Sequence, residues 1–211
     1  MKKQNIALLL SAAMMVTALS ACGGPKSNGS GSDDANTSRA DSNEIAVGIA
    51  QDLGDSLDPY QMTAAGTREI LFNVYEGLYK PTSSGDFAPA LAESYAVSED
   101  GLQYTFTIRD GVQFHNGTAM DVDDVVYSFN TCAATTVDSS LAAALSNVVS
   151  VEATDEHTVT ITLSAPNSDF LAYVASVYIV PDDYTDQATA PVGTGPVMYV
   201  SPRVQEESIF V

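Results

Sequence analysis

Few residues capable of chemistry stand close together in this chain. Asp121, Asp123 and Asp124 bring three carboxylates within four positions. Oxygen ligands of this kind suit Mg²⁺ or Ca²⁺, but a calcium loop spreads its ligands over about twelve residues, with a central glycine and a closing glutamate. That pattern is absent, and the same aspartates suit a helix start, with Asp121 as the N-cap and Asp124 in the first turn. His115 and His157 are the only histidines. Each sits near an expected turn without a spaced metal partner, so a surface or hydrogen-bonded role is expected. The sequence has no G-x-S-x-G elbow, H-E-x-x-H pair or P-loop. Gly193-Thr194-Gly195 follows Pro191-Val192 and precedes an expected strand rather than a helix N-terminus, which does not suit a phosphate cradle. A Ser/His/Asp triad has no local support. The ten tyrosines and seven phenylalanines are expected mostly in the core, with the option of lining a cleft. No catalytic residue, metal or cofactor is therefore expected.

Short strands and helices must position these residues. Residues 44–50 (EIAVGIA) read as a strand. Thr67 precedes an expected helix over 68–78, where Ile70, Leu71, Val74 and Leu78 recur at helical spacing. Residues 80–85 read as a turn. Residues 103–109 alternate, with Tyr104, Phe106 and Ile108 on one face. Asp110-Gly111 and Asn116-Gly117 are turn signals. A helix is expected from Asp121, burying Val122, Val125, Val126 and Phe129. Residues 148–154 and 157–163 form an expected hairpin around Asp155-Glu156, with Val159, Ile161 and Leu163 facing one way. Residues 169–175 read as a short helix, and 177–180 and 195–200 as strands. The fold class is mixed α/β, without an internal repeat.

The N-terminus reads as an export signal. Lys2 and Lys3 precede an apolar run over 6–19, which is shorter than the roughly 20 residues of a membrane span. The run ends Leu19-Ser20-Ala21-Cys22-Gly23, which resembles the bacterial lipobox. That resemblance implies cleavage after residue 21 and lipidation of Cys22; an ordinary signal peptide ending near a cysteine is the alternative. Residues 23–44 contain no large apolar side chain and cannot offset the entropy of ordering. The expected organisation is a signal peptide over 1–21, a lipid-anchored flexible tether over 22–44, and a folded body over 45–211. The body would sit at the extracytoplasmic face of the cell membrane. Cys132 is expected to be a small buried filler.

Composition bounds the partners. Among 211 residues, 27 Asp and Glu face 8 Lys and Arg, for a formal net charge of −19. Such a surface repels phosphate backbones, so nucleic acid is not an expected partner. Two cysteines are too few for a disulfide scaffold.

One long run, LAESYAVSEDGLQYTFTIRDGVQFHNGTAMDVDDVVYSF (91–129), resembles the family 5 extracellular solute-binding proteins, the peptide, dipeptide and nickel receptors of ABC importers. Leu57-Asp58-Pro59, NVYEGLY (73–79), FAPALAES (87–94), the run over 148–174 and PVGTGP (191–196) agree in order. The resemblance implies a periplasmic-binding-protein fold of type II, of which this chain holds an incomplete first lobe. Two such lobes close on a ligand about a hinge. It implies a monomeric receptor that captures peptides and delivers them to a membrane permease, without a catalytic step. By position, first-lobe ligand contacts fall at Thr63, Ala64 and Ala65, with Tyr178 and Thr194 as further candidates. The alternative for 61–66 is a plain loop leading into a helix. In peptide-binding members the acid that pairs with the ligand's ammonium group comes from the second lobe. Nickel-chelate binders resembling this family use an arginine in the segment matching 170–181; none occurs there, which favours peptides. Other small-solute receptors of the family, a secreted peptidase, and a sensor or adhesin without a permease are the remaining readings.

Overall fold

Alternation in sequence becomes a sheet in space at Gln103–Ile108 and Thr158–Leu163. The structure is a computed structural model, and it describes residues 45–47, 53–54, 56–135, 139–203 and 207–210. These belong to one compact unit, Ala40–Val211. The expected signal sequence, Cys22 and the tether lie outside the described residues.

The elements, in order, are β1 (Ile45–Val47), α1 (Ala65–Leu71), β2 (Tyr79–Pro81), β3 (Phe87–Pro89), β4 (Ala92–Val97), β5 (Gln103–Ile108), α2 (Val122–Ala134), α3 (Ser139–Ala144), a 3₁₀ turn (Leu145–Asn147), β6 (Val148–Asp155), β7 (Thr158–Leu163), α4 (Phe170–Val174), β8 (Tyr199–Arg203) and β9 (Glu207–Phe210). The fold is mixed α/β, as the sequence pattern indicates. A four-stranded antiparallel sheet runs β4-β5-β7-β6. Tyr104 pairs with Ile161 and Phe106 with Val159, and all four side chains are buried. β-Branched residues suit this pleated surface, and threonines occupy the opposite face of β7. Phe106, fully buried at 0% exposure, contributes on the order of 2–3 kcal/mol through its apolar area. The edge strand β4 is mostly exposed. Its Tyr95 stacks over Phe106 at 5.8 Å and meets Tyr79 edge-on at 5.3 Å.

α2 packs on β6 and β7. It begins with a capping box: Asp121 accepts the backbone N–H groups of Asp123 and Asp124, and the Asp124 carboxylate accepts that of Asp121. The aspartate cluster thus serves the helix start. Val122, Val125 and Phe129 are buried and Val126 is half-buried, which is the expected stripe. Cys132, from the same helix, is also buried. Two smaller sheets complete the body: the β2–β3 ribbon, and β9 between β1 and β8.

Four expected elements differ. The helix expected over 68–78 spans Ala65–Leu71 instead, and a turn follows it. Thr67 lies inside this helix, not before it, fully buried, with its hydroxyl accepting the Gly54 N–H at 2.8 Å. Val74 and Leu78 are buried as expected, so burial of a turn imitated helical spacing. The segment 177–180 is buried but is not a strand. Its Ile179 N–H reaches the Glu76 carbonyl, and the Ser128 side chain of α2 holds Val180. The strand expected over 195–200 starts only at Tyr199, because the preceding glycine loop is spent on packing. The turn expected over 80–85 begins in β2.

Candidate ligand-binding cleft

α2 acts as the rack for one wall of a cleft. The Ser128 hydroxyl, fully buried, accepts the Val180 N–H at 3.0 Å and donates to the Val180 carbonyl at 3.3 Å. One turn earlier, the Asp124 carboxylate accepts the Asp182 N–H at 3.0 Å. At the end of α2, the Thr135 hydroxyl donates to the Tyr60 carbonyl at 2.8 Å. The Tyr60 hydroxyl in turn donates to the Tyr178 carbonyl. Two remote segments, around Tyr60 and Tyr178, are thereby fixed to each other and to one helix.

Tyr75 anchors the floor. Its buried hydroxyl lies 3.1 Å from the Leu57 carbonyl and 3.0 Å from Gln187 Oε1. Gln187 accepts the Val192 N–H and donates to the Val192 carbonyl. The Tyr75 ring also meets the Tyr178 ring at 5.8 Å. Burial raises the pKa of Tyr75 and of Tyr60 far above the ordinary phenol value, so both stay neutral donors.

Between these parts lies an open cleft of about 550 Å³. Met62 comes from the loop after Asp58-Pro59, Arg68 and Phe72 from α1 and its end, and Pro81 and Phe87 from the β2–β3 ribbon. Leu141 and Ala144 come from α3, and Ala172, Tyr173, Ala175, Ser176 and Tyr178 from α4 and its continuation. Among the described residues, the lining is mainly apolar, and Arg68 is its one charged residue. A smaller cavity of about 30 Å³ adjoins it and shares Met62, Arg68, Leu141, Ser176 and Tyr178. The Arg68 Nη2 donates to the Met62 carbonyl at 3.2 Å. Burial raises the Tyr178 pKa, and the positive charge of Arg68 opposes that rise. A pocket of this size and character suits a small organic ligand held by apolar surface and a few polar groups.

The sequence-derived candidates fall unevenly around this cleft. Tyr178 lines it. Thr63 and Ala65 are exposed and Ala64 is the N-cap of α1; they adjoin the lining residue Met62 in sequence without being among the lining themselves. Thr194 sits in a loop packed on the turn after α1, where Gly195 N–H reaches the Val74 carbonyl at 2.9 Å, and its hydroxyl oxygen is buried without a hydrogen-bond partner. His115 serves that same loop. Its Nδ1 accepts the Gly193 N–H at 3.4 Å, which leaves Nε2 to donate to the Gly195 carbonyl at 2.8 Å. Sequence reasoning missed Arg68, Phe72 and Tyr173. The segment 170–181 carries no arginine of its own, but α1 brings Arg68 against it. Helical spacing alone, with Arg68 on the side of α1 away from buried Ile70 and Leu71, was the available signal. Among the described residues, no group of three or more His, Cys, Asp or Glu is placed to hold a metal ion. None of the described helices is long and apolar enough to cross a membrane.

Comparison with known proteins agrees with this architecture. The chain is 35% identical over 155 residues to the glutathione-binding protein GsiB of Pectobacterium atrosepticum, covering 69% of this chain and 30% of that protein. In structure it is similar to the ABC transporter-associated periplasmic binding protein DppA from Helicobacter pylori in complex with the peptide STSA. The TM-score is 0.67 at 29% identity, over 75% of this chain and 37% of that one. NikZ from Campylobacter jejuni in complex with Ni(L-His) gives a TM-score of 0.63 at 26% identity, over 73% and 32%. The chain thus spans about a third of the length of these relatives. Residues 86–211 match the profile of the bacterial extracellular solute-binding proteins, family 5 Middle, and the chain belongs to that family.

Proposed function

We propose that this chain contributes one wall of the ligand site in a substrate-binding protein of an ABC importer. It captures short peptides outside the cell, releases them unaltered to a membrane permease, and acts as a monomer. Cys22 carries the lipid that holds it at the extracytoplasmic face, and residues 23–44 are the tether. A tether of this kind raises the effective concentration of the body near its permease. The observation that carries the reading is the open, mainly apolar cleft of about 550 Å³ with Arg68 and the Tyr173 and Tyr178 rings on its wall. Support comes from the similarity to a protein solved with a peptide and to glutathione-binding proteins, since glutathione is itself a tripeptide.

A metal-chelate receptor is the second reading. It draws on the similarity to NikZ with Ni(L-His) and on Arg68, which supplies the cleft with the cation that the segment 170–181 lacks. Titration of the ¹⁵N-labelled chain with tri-alanine and, separately, with the nickel–histidine chelate tests both. The peptide reading expects saturable shifts at Met62, Phe72 and residues 173–178 with tri-alanine. Shifts confined to the chelate would replace it with the second reading, and shifts confined to the β4–β7 sheet would remove both.

A further inference from the structure

Resting on the ligand site proposed above, we propose that the cleft receives an aromatic side chain of the ligand against Phe72 and Tyr173, so that peptides carrying such a residue are the class it selects. Of the phenylalanines whose side chains are described, Phe106, Phe114, Phe129 and Phe170 are buried and Phe87 is half-buried. Phe72 alone among them is exposed, at 52%, and it lines the cleft. Covering an open ring of this kind with a second apolar group is favourable in proportion to the area removed from water. Phe72 also stands on backbone that is tied down. It closes α1, with its N–H on the Arg68 carbonyl at 3.0 Å. The next two carbonyls, of Asn73 and Val74, accept the N–H groups of Val197 and Gly195 at 3.3 and 2.9 Å. A ring positioned before the ligand arrives loses little freedom on binding. Tyr173 of α4 and Phe87 of β3 bring two more rings to the same cleft, and the short side chains of Ala144, Ala172 and Ala175 leave room between them. Aromatic pairs gain from edge-to-face and offset contacts beyond the area they bury, which favours a ring over an aliphatic side chain. Charged side chains are disfavoured. Among the described residues no Asp or Glu lines the cleft, although the chain carries 27 of them, so a cationic side chain finds no carboxylate there. Mainly apolar walls also strip water from an ion of either sign.

The test titrates the full ¹⁵N-labelled chain with tripeptides that keep alanine at both ends and carry phenylalanine, leucine, alanine, lysine or glutamate in the middle, so that contacts to the termini cancel. Concentrations to about 20 mM reach dissociation constants weaker than 1 mM. The phenylalanine peptide should bind about ten-fold tighter than tri-alanine and about three-fold tighter than the leucine peptide, with shifts centred on Phe72 and residues 172–176. Both ratios should persist in about 0.5 M salt, because screening acts on charges and not on buried apolar area. Phe72→Ala should bring the ratio of phenylalanine to leucine peptide to about one. Ala172→Leu, which fills the room between the rings, should weaken the phenylalanine peptide more than tri-alanine. Equal affinity for the five peptides, or tightest binding by the leucine, lysine or glutamate peptide, overturns the inference and leaves the cleft reading standing. A phenylalanine preference unchanged in both variants overturns it as well. Absence of any shift at the cleft with all five peptides overturns the inference together with the cleft reading. Shifts at Phe72 that follow protein concentration without peptide do the same, since they assign the cleft to a second copy of the chain. Should either variant lose its folded spectrum, the other variant and the wild-type series decide.

Discussion

Ser128 and Val180 lie 52 residues apart in sequence, yet the Ser128 hydroxyl is bonded to both the N–H and the carbonyl of Val180 inside the core. A single small side chain therefore stands in for a ladder partner at Val180. It also fixes the backbone from which Tyr178 projects into the cleft.

Ser128→Ala leaves a buried N–H and a buried carbonyl without this partner, and no water is expected to fill the place of a hydroxyl in so tight a core. The expected cost is about 1–3 kcal/mol of folding stability, the desolvation penalty of an orphaned backbone group. Urea unfolding measures it. A change below about 0.5 kcal/mol, the scale of an ordinary surface substitution, would show that Val180 is held by packing alone.

Asp124 gives stability a pH dependence of defined sign. Burial raises its carboxyl pKa from 3.8 to about 6, against the lowering effect of the Asp121 and Asp182 N–H groups that it accepts. Between those two values the folded chain binds more protons at this site than the unfolded chain, so the contribution falls as pH rises. It is fully present below about 4 and lost above about 6. Melting curves of wild type and Asp124→Asn, taken across this window, cancel the remaining charges. The wild type should lose stability relative to the variant as pH rises from 4 to 6. A difference that stays flat or rises contradicts the assignment.

Gly193 and Gly195 are fixed by proximity. A Cβ at Gly193 would stand 2.2 Å from the Val74 carbonyl oxygen, and one at Gly195 would stand 2.3 Å from that of Asn73. Neither neighbour is the movable end of a side chain. Gly193→Ala must push the loop off the turn after α1, breaking the His115 and Val74 bonds, at an expected cost of at least ~3 kcal/mol. Tyr75 lies under this loop, 2.7 Å from the same hypothetical Cβ, so the damage should reach the cleft floor. Denaturant unfolding checks the cost, and a variant as stable as the parent would refute the close approach.

Cys22→Ala tests the anchor. Expressed in the natural host and fractionated, the variant should move from the membrane to the soluble fraction, because the lipid chains supply the durable attachment. Equal membrane retention of parent and variant would remove lipidation from the proposal.

Much of this protein is legible in its amino-acid order where physics is local. The period-two runs at 103–108 and 158–163 specify strands because each alternate side chain needs the same buried face. Asp121 specifies the start of α2 because a carboxylate satisfies N–H groups two and three residues away. Order alone also suffices for the family, through motifs in sequence. What tertiary structure decided is everything resting on partners far apart in the chain. The irregular course of 177–180 and the late start of β8 go with Glu76, Ser128 and Val74 meeting distant backbone. No local pattern encodes that meeting. Arg68 shows the same division: its position on an exposed helix face is visible in the sequence, but only the packing of α1 against the end of α4 turns that face into the wall of a cleft.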